Sequence, residues 1–152
     1  MWDADGEAVS PQCLFRWDDG SNFPGTREEY IAGYRDQVQY ANRMVLQELD
    51  RIMIGSKRPA VILLQADHGP GSRLDWDDPT ASYLPERMSI LNAYYAPAAI
   101  NALYDSITPA NSFRVILNAY FGYELPLLPD RSLYSSWEQP YAFVEVPNDR
   151  AD

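Results

Sequence analysis

Apolar residues recur along this chain in two rhythms, and each predicts a different element. From Thr26 onward, Tyr30, Tyr34, Val38, Ala41, Val45, Leu49 and Ile52 return every three or four residues, the period of one helical face. Thr26 followed by Glu29 fits a capping box at the start of that pattern. Gly55 stops it and Pro59 prevents its return. The spacing predicts a long amphipathic helix over roughly 26 to 54, with its stripe packed against a sheet. The rhythm then changes to a compact apolar run, Ala60-Val61-Ile62-Leu63-Leu64-Gln65-Ala66. Such a run reads as a strand buried on both faces, as in a parallel sheet.

Further along, Met88 to Tyr95 reads as a second strand closed by Pro97, and Ala98 to Tyr104 as a short helix or an irregular stretch. Thr108 is placed to cap a helix with Pro109 in its first position. Phe113, Ile116, Leu117, Tyr120 and Phe121 give that helix an apolar face, and Gly122 ends it. Three short strands follow, at Leu125–Pro129, Ser132–Trp137 and Tyr141–Val146, which Pro126, Pro129, Pro140 and Pro147 confine to sheet edges. Upstream, Cys13 to Trp17 reads as an edge strand between Pro11 and the turn Asp18-Asp19-Gly20. The fold class expected is α/β: a few-stranded, mainly parallel sheet with the long helix packed on it. An irregular segment over 1–25 leads into a single α/β domain over 26–147 and a short tail over 148–152. No repeat, low-complexity tract or linker divides the chain.

Composition narrows the partners. At 46% hydrophobic and 22% charged residues over 152 positions, the chain can bury a real core. Its formal net charge of −10 repels duplex nucleic acid and anionic membrane alike. The one cysteine, Cys13, excludes both an internal disulfide and a cysteine-based zinc site. No apolar run approaches the roughly 18 residues that a transmembrane helix needs, and Met1 to Gly6 lacks the order of a signal peptide. No membrane contact is therefore expected from this chain itself.

The strand at 60–66 ends abruptly in Asp67-His68-Gly69-Pro70-Gly71-Ser72, and His68 is the only histidine. Ligands of open α/β sheets sit beyond the carboxyl ends of strands. An adjacent carboxylate and imidazole suit a divalent ion such as Zn²⁺ or Mn²⁺. Gly69 and Gly71 offer backbone amides that could approach a phosphate, although a plain turn is the simpler reading. Arg73 and Arg87 are candidate contacts for an anionic substrate. Asp75, Asp77 and Asp78 lie close together, yet they lack the alternation and glycine of an EF-hand loop, and a solvated loop is expected there.

Four stretches, in this order, resemble the C-terminal part of the alkaline phosphatase superfamily. They are Val61 to Gly69, Glu86 to Tyr94, Ser106 to Phe113, and Gly122 to Pro126 followed by Asp130-Arg131-Ser132-Leu133. The branch they look like is the sulfatase-like hydrolases and transferases, which include lipoteichoic acid synthase and phosphoglycerol transferases. The resemblance covers roughly residues 27 to 137 and implies a partial alkaline-phosphatase-like fold. It also implies phosphoryl or sulfuryl transfer, in which divalent metal (Mn, Zn, Mg or Ca) activates a nucleophile. By position, Asp67 and His68 match the metal ligands that follow the strand. The nucleophile and the first metal-ligand acid of such enzymes lie on strands upstream, and no matching element precedes Asp67.

The chain therefore reads as a fragment or degenerate relative of a metal-dependent transferase or hydrolase, carrying the metal-ligand pair without the nucleophile. It is expected to be inactive by itself. Its expected partner is the missing N-terminal part of the same domain, or a second copy joined through exposed sheet edges. The parent family is often membrane-anchored with an extracytoplasmic catalytic domain. Two other readings stay open: a non-catalytic binding or assembly module with the same half-fold, and a complete small metal-dependent hydrolase.

Overall fold

The computed structural model describes residues 2–9 and 19–148. The expected edge strand over Cys13–Trp17, and the tail beyond 148, lie outside them. Among the described residues the chain forms three helices and two small antiparallel sheets. Helix α1 spans Arg27–Gly55, α2 Leu84–Met88 and α3 Pro109–Phe121. Strands β1 (Ile62–Gln65) and β2 (Asn92–Tyr95) form one sheet, and β3 (Ser132–Tyr134) and β4 (Val144–Val146) the other.

Both long helices begin and end where local chemistry says they should. Thr26 accepts from the Glu29 amide while the Glu29 carboxylate accepts from the Thr26 amide, so the capping box is closed. Pro109 opens α3, and Gly122 ends it at φ +69°, where a side chain would be strained. Thr108 does occupy the N-cap position of α3, but its hydroxyl donates to Asp130 rather than capping the helix.

The strands depart from expectation in direction. β1 pairs antiparallel with β2, Ile62 opposite Tyr95 and Gln65 opposite Asn92; β3 pairs antiparallel with β4. The mainly parallel sheet is thus replaced by two two-stranded ladders. The segment joining β1 to β2 holds only a turn and the five-residue α2, and it brings the chain back along its own path. Met88 belongs to α2 rather than to a strand, because Pro85 pre-sets the first turn of a helix there. Leu125 to Pro129 forms no strand.

Two small cores result. Ala96, Ala99, Ile107, Val115 and Ile116 pack together beside α3, with Leu63 and Tyr94 of the first sheet against them. Leu74, Leu84, Tyr134 and Val146 form the other, where α2 rests on β4. The stripe of α1 does not lie on a sheet as expected. Its only buried residue is Tyr30; Val38 and Ile52 are exposed and Val45 and Leu49 half-buried. Tyr30 stacks on Tyr34 and meets the edge of Phe23. Trp2 lies against Tyr40, and the Gln37 amide donates to its carbonyl. Helix α1 is therefore held through its first half, and nothing among the described residues covers the rest.

Gly69 marks the tightest crossing. A Cβ there would collide with the backbone carbonyl oxygens of Glu86 and Ser89, which cannot swing aside as a side-chain tip would. Gly69→Ala is expected to cost about 2–3 kcal/mol in urea unfolding. Gly55→Ala, with open space around it, should be neutral or stabilise by up to about 1 kcal/mol.

Candidate functional site

β1 delivers the chain to a turn that is fastened on three sides. The Ala66 amide donates to the Leu91 carbonyl (2.9 Å), continuing the ladder past the strand. The Gly69 amide donates to the Arg87 carbonyl (2.7 Å), which ties the turn to α2. The Gly71 amide donates to the Tyr30 hydroxyl (3.0 Å), which ties it to α1. Both glycine amides are thereby spent inside the protein, so the phosphate-cradling role considered for them does not apply.

On this fastened turn Asp67 and His68 point outward. The Asp67 side chain is 88% exposed and that of His68 is 49% exposed. Asp67 Oδ1 accepts from the His68 amide at 3.0 Å. His68 Nδ1 lies 2.9 Å from the Gly69 carbonyl oxygen. A carbonyl oxygen can only accept, so Nδ1 carries a proton, and in the neutral ring Nε2 is the nitrogen with the lone pair. Nε2 stands 3.6 Å from Asp67 Oδ2. Two ligands held tetrahedrally at zinc bond lengths of about 2.1 Å are about 3.4 Å apart. The observed separation is close to that spacing and is equally that of a His–Asp ion pair, and the other imidazole nitrogen is anchored on a carbonyl. Among the described residues, no group of three or more His, Cys, Asp or Glu side chains could enclose a metal.

The two candidate arginines serve different ends. Arg87 is largely buried; its Nη1 donates to Asp19 Oδ2 at 2.6 Å and to the Gly69 carbonyl at 3.1 Å. It thus holds the carbonyl that orients His68, and is a positioning group rather than a free anion contact. Arg73 lies over the Tyr83 ring at 4.0 Å, with Nε 3.8 Å from Glu86 Oε2. Glu86 Oε1 accepts from the Ser72 hydroxyl at 2.7 Å. In the acidic loop, Asp75 Oδ1 accepts from the Asp77 and Asp78 amides, and Asp78 from Thr80. The Thr80 hydroxyl and amide hold the Asp78 carboxyl below its ordinary value. These carboxylates shape their own loop.

Sequence reasoning missed Asp19, Tyr30 and Glu86 as parts of this turn, because each reaches it from a distant segment. It also missed a second constellation, at the start of α3. Asp130 accepts from the Thr108 amide (2.8 Å) and hydroxyl (2.6 Å), from Asn111 Nδ2 (2.9 Å) and from the Tyr104 hydroxyl (2.6 Å). Asn111 and Ser112 are fully buried. Burial alone would raise the Asp130 carboxyl, but the donors of Thr108, Tyr104 and Asn111 outweigh it and hold it below the ordinary value. Burial and then Asp130 push the Tyr104 phenol upward. Tyr104 and Thr108 also line an open groove of about 950 Å³ that runs past Arg73, Tyr83 and Tyr94. No family model, no curated protein and no solved structure matches the chain.

Because the folded Asp130 titrates below its unfolded value, the folded state binds fewer protons between the two. Its stabilising effect is full above the ordinary aspartate value of about 3.9 and is lost as pH falls through the lowered folded value. Asp130→Ala should lose roughly 2–4 kcal/mol at neutral pH, since it removes the acceptor shared by the Thr108 amide, the Thr108 hydroxyl and the Tyr104 hydroxyl. The difference between wild type and variant should shrink on acidification below about pH 4, as followed by thermal melts.

Proposed function

We propose that this chain is part of a metal-dependent phosphoryl- or sulfuryl-transfer enzyme, in which Asp67 and His68 are two ligands of a divalent ion. One observation carries the reading. His68 donates from Nδ1 to the Gly69 carbonyl and leaves Nε2 3.6 Å from Asp67 Oδ2, on an exposed turn. Such an ion supplies charge stabilisation at the ester oxygens when bound. The chain's own contribution is rigidity: the turn is fixed by Arg87, Asp19 and Tyr30 before any ligand arrives. Preformed ligands lose little freedom on binding, which favours occupancy.

Two protein ligands are too few for a closed zinc site. In this reading the remaining ligands and the nucleophile come from another part of the domain or from a second copy. The edge of β1 that faces away from β2 gives such a partner a strand to pair with, as among the described residues β1 bonds to β2 only.

The test is calorimetric titration of Mn²⁺ and Zn²⁺ into the chain and into Asp67→Ala/His68→Ala. The expected result is weak, saturable binding that falls at least ten-fold in the double variant, about 1.4 kcal/mol. Both side chains are exposed, so the variant should keep the fold, which circular dichroism would verify. Equal binding by the two proteins, or none by either, would overturn the reading.

A further inference from the structure

The sheet of β1 and β2 has an edge on each side, and the edge of β2 borders a groove. The Ala66 amide donates to the Leu91 carbonyl, and the same register sets Leu64 against Ala93 and Ile62 against Tyr95. Along an antiparallel strand, successive residues turn their N–H and C=O groups alternately toward and away from the partner. The main-chain groups of Leu91, Ala93 and Tyr95 therefore point to β1, and those of Asn92 and Tyr94 point away from it. Among the described residues, nothing pairs with the Asn92 and Tyr94 main-chain groups. Asn92 and Tyr94 also line the open groove of about 950 Å³, whereas no residue of β1 does. The groove reaches Ser132 of β3 as well, yet β2 forms no ladder with β3 or β4. The sequence does not blunt this edge either: Asn92-Ala93-Tyr94-Tyr95 holds no proline and no charge.

Three charged side chains line the groove: Arg73, Glu86 and Asp105. The first two face each other, with Arg73 Nε 3.8 Å from Glu86 Oε2, and Glu86 also accepts from the Ser72 hydroxyl. Asp105 is exposed and meets no cation among the described residues. The groove thus offers main-chain donors and acceptors along one wall and a single unbalanced negative charge.

We infer that this groove takes an extended peptide segment of another protein, which adds as a strand to the free edge of β2 and sets a lysine or arginine against Asp105. An extended strand presents its N–H and C=O groups at the spacing of such an edge, about 13 Å for four residues. Main-chain pairing supplies the affinity, and the side chains that line the groove supply selectivity. The edge is the one opposite to that of β1, and the site requires no metal, so it stands apart from the reading of Asp67 and His68.

The test titrates a capped pentapeptide of alternating valine and lysine into the chain by calorimetry. Beside it runs the same peptide N-methylated at every amide, which keeps the charge but cannot pair with an edge. Two variants accompany them. Asn92→Pro removes an outward amide and breaks no bond between β1 and β2; Asp105→Lys reverses an exposed charge. Circular dichroism checks that both keep the fold, and the comparison of the two peptides on wild type needs neither. The expected outcome is saturable binding of the unmodified peptide, at least ten-fold weaker for the methylated peptide and for Asn92→Pro. Asp105→Lys should weaken it by a smaller factor. No binding to wild type would overturn the site. So would equal binding of the two peptides, which is what charge attraction to an acidic chain alone produces. Binding only by a chain shortened to residue 148 would assign the groove to this chain's own last residues and overturn the partner.

Discussion

A single guanidinium holds the centre of this structure. Arg87, on α2, donates to Asp19 across 68 residues of sequence and to the carbonyl of Gly69 across 18. That carbonyl also receives the proton of His68 Nδ1. The orientation of the imidazole therefore depends on a carbonyl fixed by Arg87, which depends in turn on the Asp19 carboxylate. Both members of the ion pair are mostly withdrawn from water, where loss of one partner typically costs 3–5 kcal/mol because the other is left uncompensated. The same crossing is too tight for any side chain at Gly69. Packing and electrostatics thus impose the same constraint on one turn.

What could be read from the sequence was what local chemistry decides. The Thr26–Glu29 box, Pro109 at the head of α3, Gly122 at its end and the extent of β1 all depend on residues within a few positions of one another. Strand direction depends on a connection of 26 residues, and apolar runs say nothing about which way the chain returns. Thr108 shows the limit in a single residue. Its position as N-cap was legible, but its hydroxyl serves Asp130, 22 residues away. Arg87 and Arg73 were legible as charges near the turn; that one is bound into the turn and the other half-free was not. Asp19, Tyr30 and Glu86 carry no local signature of their roles, because their partners come from elsewhere in the fold.

The distribution of burial follows from the same economy. Two clusters, each built on a handful of residues, share the work of a core. Each is backed by a ladder of only two strands, and such ladders are marginal without further packing. Buried polar networks fill part of the gap. The Asp130 constellation ties the loop after α3 to the helix start, with Asn111 bridging to the Leu128 carbonyl and amide. Among the described residues the second half of α1 has no such support, and Leu46 and Ile54 are exposed. The most densely fastened part of the molecule is accordingly the turn that carries Asp67 and His68, tied to α1, to α2 and to Asp19.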